Sequence, residues 1–376
     1  MLNIKVNGTI KNRVVVSIDL NNSDKIEEEN MYDYSKIVEP LLAWYDANGR
    51  VLPWRSNPKP YYVWVSEIML QQTRVEAVKG YFKRFIEELP TIEALAKASE
   101  DKLLKLWEGL GYYNRVRNMQ QAAVTVMKEY DGKLPEDYDR LLSLKGIGSY
   151  TAGAIASIAY GQRRPAVDGN VLRVMKRLAG SYDDILKASV KTDMEKQLLP
   201  VIPERAGAFN QAVMDLGAMV CIPNGAPLCK QCPLMDHCEA NRKQIQMELP
   251  VKTKKKPRKI EEKTILLLEY QGKYALHKRA EKGLLAGLWE LPSVNGTCSR
   301  EEISRMLLKT GRDADIRELG PAKHIFSHVE WSMVGYHVVL SEPLISEEDY
   351  VWVTAREVES EYAVPTAFSS YSKFIE

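Results

Sequence analysis

"LKGIGSYTAGAIASIAYG", Leu144 to Gly161, and "PAVDGNVLRV", Pro165 to Val174, are the stretches whose reading decides the fold. The first begins where one helical pattern ends, turns tightly through Gly146 and Gly148, and starts a second helix near Ser149. Two glycines let a backbone come close to a ligand. The helix that follows offers free N–H groups at its positive dipole end, an arrangement suited to a phosphate. A plain structural turn accounts for the same residues. The second stretch places Asp168 about twenty residues on, after Ala166-Val167 and before Gly169-Asn170. A carboxylate there is a candidate buried catalytic acid, or else the N-cap of the helix VLRVMKRL.

Helical periodicity extends outward on both sides, from Met31 to about Arg242. YSKIVEPLLAWYDANG steps its apolar residues by three and four and stops at Asn48-Gly49. VWVSEIMLQQTRVEAVKGYFKRFIEEL continues in that style to Pro90. TIEALAKAS, DKLLKLWEGLG, RVRNMQQAAVTVMKEY and DYDRLLSL follow, each bounded by Gly, Pro or Asp. Many helices on short connections predict an all-α domain over 31–240. Within it Glu67 stands among Val63, Trp64, Val65, Ile68, Met69 and Leu70. So apolar a setting would raise its pKa until it carries a proton near neutrality. Taken by itself, the stretch is explained more readily by an exposed Glu on an amphipathic helix.

Composition changes near Pro250. VKTKKKPRK holds six basic residues in eight positions from Lys252 to Lys259. It reads as a basic linker, 241–262, either solvated or touching phosphate. TILLLEYQGKYALHKRA then gives two β-rich runs around Gln271-Gly272, HIFSHVEWSMVGYHVVLSE alternates with period two, DYVWV adds a strand, and EEISRMLLKTG is helical. Residues 263–376 therefore predict a separate α+β domain. Residues 1–30 read as an extension of unknown role, with a hairpin expected around Asn7-Gly8.

The 376-residue chain is 45% apolar and 27% charged with a net charge of +2, ordinary for a globular protein. No run approaches the length of a membrane span, and the first thirty residues lack the apolar core of a signal peptide. An intracellular location is expected, where thiols stay reduced and clustered cysteines imply metal. Four of the five cysteines fall within eighteen residues, CIPNGAPLCKQCPLMDHC, Cys221 to Cys238. Both zinc and a [4Fe–4S] cluster take four thiolates. Only Cys229 and Cys232 form a C-x-x-C pair, and the unequal outer spacing suits a cluster with one ligand per corner. His237 is an alternative zinc ligand. Cys298 stands alone and is expected to be inert.

Taken together, LPWR, VWVSEIMLQQT, WEGLGYYNRVRN, GIGSYTAGAIASIAYG, VDGNVLRV and FNQAVMDLGAMVC resemble the helix-hairpin-helix DNA glycosylases that carry an iron–sulfur cluster. The order and wording of the motifs are similar to the MutY branch across nearly all of residues 51–238. The resemblance implies a base-excision-repair enzyme that hydrolyses the N-glycosidic bond of adenine mispaired with 8-oxoguanine or guanine in duplex DNA. It implies Glu67 as general acid and Asp168 as the carboxylate beneath C1′, with Tyr150 and Asn170 orienting them. Gln72 and Tyr112 would form the wedge in the base stack, and Gly146 and Gly148 the phosphate-facing turn. Phe326, Ser327 and His328 would contact the oxidised base. Cys221, Cys229, Cys232 and Cys238 would ligate a [4Fe–4S] cluster beside a DNA-contacting loop at Lys230. The endonuclease III branch carries a lysine nucleophile where this chain has Tyr150. A phenol forms no imine, so lyase activity by that route should be absent or slight. The C-terminal part resembles a Nudix-like domain. It lacks the R-E-x-x-E-E core that holds magnesium and is expected to bind without hydrolysing. Seven residues separate Cys221 from Cys229, where the family commonly has six. A monomer is expected, with no membrane association. The competing expectations are an endonuclease III-like pyrimidine glycosylase and a non-catalytic damage-binding protein.

Overall fold

The computed structural model describes residues 32–253, 257–308, 314–342 and 350–376, together with the backbone of two strands near the N-terminus. These strands, β1 (Val6–Ile10) and β2 (Arg13–Val16), pair antiparallel. Ile10 is paired with Arg13, so Asn7-Gly8 lies within β1 and not at the end of the hairpin. The register instead shifts between Val6 and Thr9, across Asn7-Gly8, an irregularity that glycine tolerates inside a strand.

The helical part contains α1 (Val38–Asn48), α2 (Pro60–Leu70), α3 (Val75–Glu88), α4 (Ile92–Lys97), α5 (Glu100–Leu106) and α6 (Asn114–Glu129). It continues with α7 (Tyr138–Ser143), α8 (Ser149–Ala154), α9 (Gly169–Ala179), α10 (Ala188–Leu198), α11 (Ala206–Met219) and the short α12 (Glu239–Arg242). Thr91, Ser99 and Asp137 cap α4, α5 and α7 by accepting from Ala94, Lys102 and Arg140 amides, each such cap contributing about 1 kcal/mol. Two apolar cores form. One gathers α2 to α8 around Trp64, Phe85 and Trp107. The other gathers α1 and α9 to α11 around Ile37, Met175 and Phe209. Glu67 belongs to the first layer and Asp168 to the second, so the candidate site lies at their seam.

The pattern over 63–89 reads as one continuous helical run, but the structure breaks it between α2 and α3. Gln72 takes φ 60°. Arg115 fixes the break, its Nη1 donating to the carbonyls of Ile68 at 2.7 Å and Gln71 at 2.6 Å. The orphan carbonyls at the end of α2 are thereby satisfied by a residue far along the chain.

The C-terminal part is a mixed sheet of β3 (Lys259–Tyr270), β4 (Lys273–Lys278), β5 (Trp289–Glu290), β6 (Ser293–Asn295), β7 (Ala314–Ile325), β8 (Val329–Leu340) and β9 (Tyr350–Val353). Helices α13 (Arg300–Leu308), α14 (Ala355–Ser360) and α15 (Ser369–Ser372) accompany it. The order is β5-β4-β3-β8-β7, with β6 on β3 and β9 on β4. Only the β3–β8 pair is parallel among the described pairings. Alternation in β3 sends Ile265 and Leu267 to one face, beneath α15, and Leu268 to the other, beneath α13. Strand β3 begins at Lys259, inside the stretch read as linker. The linker's first part is also structured. Leu249 is buried and its carbonyl accepts from Arg177 Nε at 2.9 Å, while the Ile185 amide donates to Val251 O at 3.2 Å. The centre of the basic run, 254–256, lies outside the described residues, as do the last residues of EEISRMLLKTG. Among the described residues no helix is long and apolar enough to cross a membrane.

Candidate active site

Pro60 at the first position of α2 presets the helical φ, and the helix buries nearly every side chain it carries. Glu67 is 4% exposed there. Burial pushes its carboxyl up to about 7, against the pull of the Tyr150 hydrogen bond and the Arg55 charge; Asp168 adds to the rise. Tyr150, on α8, donates its phenol proton to Glu67 Oε2. Burial, then the Glu67 charge, holds that phenol well above its ordinary value, so it remains a donor at any working pH.

Asp168 is the N-cap of α9. Its Oδ1 accepts from the amides of Asn170 at 2.9 Å and Val171 at 2.8 Å, and its Oδ2 from Asn170 Nδ2 at 2.8 Å. Capping does not withdraw it, because Asp168 also lines a cleft of about 720 Å³ with Tyr150, Gly148 and Gln72. Burial pushes its carboxyl up, and the Val171 and Asn170 donors oppose that. Each of these partners is a donor, so the surroundings are arranged for the ionised form. Asn170 is held in turn by Arg173, whose Nη2 donates to its Oδ1 at 3.0 Å and to Gly217 O at 2.6 Å. Tyr150 and Asn170 thus each hold one carboxyl group.

The turn before α8 needs glycine at one position rather than two. Gly146 has φ 78°, and a Cβ there would lie 2.8 Å from Asn118 Cβ. Gly148 has φ −94°, open to any residue, and a Cβ there would meet nothing within 4 Å. It caps α8 and leaves open space in front of the helix amides.

A second cleft of about 760 Å³ lies between the helical and sheet parts, lined by Gln72, Tyr112, Arg258, Phe326, Ser327 and His328, among others. Gln72 lines both clefts. Tyr112 is 49% exposed with φ 48°, a conformation that costs about 1 kcal/mol. Arg115 holds its turn by donating to Leu110 O at 3.0 Å and Gly111 O at 3.1 Å. Tyr112 Oη and Ser327 Oγ lie 3.1 Å apart, in hydrogen bond. The Phe326 ring packs edge-on against His324 and Trp331 at 4.6 and 4.9 Å. It therefore anchors the β7–β8 turn in the sheet core, while Ser327 and His328 are exposed. Arg258 Nε donates to Phe326 O at 3.0 Å.

Sequence reasoning assigned no role to Arg50, Arg55, Arg115, Arg173 or Asp215. Asp215 is fully buried and accepts from Arg50 Nε at 2.8 Å and Arg55 Nη1 at 2.7 Å. Burial pushes its carboxyl up, but the hydrogen bonds and charges of Arg55 and Arg50 prevail and hold it below its ordinary value. The signal was present: Asp215 stands between Met214 and Leu216, much as Glu67 stands in α2.

Cys221, Cys229, Cys232 and Cys238 line one apolar cavity with Val174, Leu178, Leu216, Val220 and Leu234. The long spacing folds back at Gly225 (φ 76°), and the Leu228 amide donates to Val220 O at 2.9 Å, returning Cys229 to the cavity. Arg177 Nη1 donates to Cys221 Sγ at 3.2 Å and to Ile222 O at 3.0 Å. Its Nε donates to Leu249 O at 2.9 Å, so one guanidinium joins the cysteine loop to the segment that follows it. Among the described residues no group of three Cys, His, Asp or Glu converges closely enough to hold a single metal ion. Four thiols ringing an apolar cavity beside an arginine fit a polynuclear anionic cluster.

Residues 65–200 match the HhH-GPD superfamily of base excision DNA repair proteins, and 264–373 match the NUDIX domain. The adenine DNA glycosylase of Rattus norvegicus is 36% identical over 370 residues, covering 82% of this chain and 71% of the relative. That of Buchnera aphidicola subsp. Schizaphis graminum is 33% identical, covering 83% and 89%. A solved thermostable thymine-DNA glycosylase is 26% identical with a TM-score of 0.50, covering 56% of this chain and 97% of that one. The chain belongs to the adenine DNA glycosylase family, base-excision-repair enzymes that act on adenine in DNA.

Proposed function

We propose that the enzyme excises adenine paired with 8-oxoguanine, or with guanine, from duplex DNA, and does not cut the strand through an imine. The observation that carries this reading is the pair of clefts meeting at Gln72. One holds Tyr150 and Asp168, and the other holds Tyr112, Ser327 and His328. A base pair opened over Gln72 and Tyr112 would send one base to each cleft, as chemistry on a stacked base requires.

Glu67, protonated near neutrality, donates its proton to adenine N7, with Tyr150 bound at Oε2 and Oε1 left to carry the proton. The C1′–N9 bond then breaks with its electron pair leaving on adenine. The oxocarbenium-like sugar faces the Asp168 carboxylate, which Asn170 and the α9 amides hold in place. Water adds at C1′ and gives its proton to Glu67, restoring the acid. A buried acid near 7 beside a donor-held carboxylate divides the two roles. Ser327 and His328 offer hydrogen-bonding groups to the opposing base. Cys221, Cys229, Cys232 and Cys238 would hold a [4Fe–4S] cluster, which when bound cross-links the loop that exposes Lys230.

Single-turnover adenine release tests the assignment. Glu67→Gln and Asp168→Asn should each abolish release from an A·8-oxoguanine duplex while retaining binding to it. Near wild-type turnover in either would refute the roles. His328→Ala should weaken the preference for 8-oxoguanine over guanine, and an unchanged preference would remove that loop from recognition.

A further inference from the structure

Two side chains at the end of α5 grip one segment of the C-terminal part. Lys105 Nζ donates to Glu108 Oε2 at 2.7 Å, Val358 O at 2.9 Å and Tyr362 O at 3.1 Å. Glu108 Oε1 accepts from the Val364 amide at 2.7 Å. All three ammonium protons and both carboxylate oxygens are used at once. The pair is mostly buried, at 19% and 27% side-chain exposure, so its geometry is protected from competing water. Val358 lies in the last turn of α14, where a carbonyl lacks a helical partner and a cation is favoured.

The gripped segment then divides between two cores. Ala363 is buried in the helical core with Trp107, and Val364 in the sheet core with Trp331. The residues that follow, Pro365 and Thr366, line the same cleft as Ser327 and His328. On the other side, Glu108 opens the turn that ends at Tyr112, and that turn is rigid. Trp107 Nε1 and Arg115 Nη2 both donate to Gly111 O at 3.1 Å. The Lys105–Glu108 pair therefore fixes both rims of the cleft to each other.

We propose that Lys105 and Glu108 are positioning residues that set the width of the cleft and thereby govern discrimination between 8-oxoguanine and guanine. The inference rests on the opposing-base reading above. The two bases differ by one oxygen at C8 and one proton at N7. Distinguishing them demands placement of donors and acceptors to within about 0.5 Å, and a gap bridged by two separately packed layers needs a fixed spacer to achieve that.

The test uses the full chain and single-turnover kcat/KM on A·8-oxoguanine and A·G duplexes, with hydrogen exchange at the Val364 amide. Wild type must first prefer 8-oxoguanine; equal rates would refute the opposing-base reading itself, before any variant is made. Lys105→Met and Glu108→Ala should lower the 8-oxoguanine-to-guanine ratio about tenfold, as expected for misplacement of under an ångström. Release from A·G should stay within about twofold of wild type, since the catalytic cleft is untouched. Val364 exchange should quicken in Glu108→Ala, and Lys105→Arg should restore the ratio. A parallel fall on both duplexes, an unchanged ratio, or unaltered Val364 exchange would each overturn the proposal.

Discussion

Tyr150→Phe isolates one hydrogen bond in the proposed chemistry. The ring is retained, so Glu67 stays buried, but the donor to its Oε2 is lost. That bond pulls the Glu67 carboxyl down from where burial alone would leave it, and with the bond present the carboxyl sits at about 7. A hydrogen bond to a charged group contributes about 1.5–3 kcal/mol, against about 1 kcal/mol for a neutral one. The difference, roughly 1.4 kcal/mol, is about one pH unit. Glu67 acts while protonated, so the rate falls as pH rises through its pKa. Raising that pKa moves the alkaline limb outward, from about 7 to about 8. Tyr150 itself does not titrate over this range, because its phenol is held well above its ordinary value. The assay is the pH profile of kcat/KM, which reports groups on the free enzyme. The limb's position is read independently of the plateau height, which will fall if Tyr150 also orients the acid. A limb that stays near 7, or moves toward acid, would refute the reasoning.

Removing the charge of Asp215 in Asp215→Asn leaves Arg50 and Arg55 without their buried counter-charge, and urea denaturation should show a loss of about 3–5 kcal/mol. Because the native carboxyl is held below its ordinary value, its contribution is present at neutral pH and is lost as pH falls through the folded pKa; a wild-type protein equally stable in acid would contradict this. Borohydride should trap no appreciable DNA adduct, since Tyr150 cannot form an imine. Among the described residues, Lys191 is the one lysine lining the cleft that holds Tyr150 and Asp168, and an adduct mapped to it by mass spectrometry would overturn the monofunctional reading. Iron analysis should give about four atoms per chain, falling in Cys232→Ser; stoichiometric zinc from iron-replete cells would exclude the cluster.

Which features were legible follows from how local their causes are. Glu67 and Asp168 stand out because a carboxylate in an apolar run is visible within a few residues, and the physical consequence, burial, acts at the same place. The cysteine loop is legible for the same reason. The helical break at Gln72 is invisible locally: the pattern of 63–89 favours one helix, and the break is held by Arg115, which takes the carbonyls of Ile68 and Gln71. Strand β3 starts early because Lys259–Glu262, too charged to read as strand, pairs in parallel with Val329–Ser332. Asp215 gained no role because its partners lie 165 and 160 residues away. A common cause underlies these cases. Arg50, Arg55, Arg115, Arg173 and Arg177 each place a guanidinium on carbonyls, a carboxylate or a thiol from distant elements. A surface arginine and a buried, multiply bonded one look identical in composition and periodicity. Motif reading therefore picks out the groups proposed to react, while the elements that carry them are tied together by arginines with no local signature. It follows that Arg115→Lys, nominally conservative, should disturb both the Gln72 and Tyr112 turns at once, because one ammonium cannot span carbonyls on two sides as a planar guanidinium does.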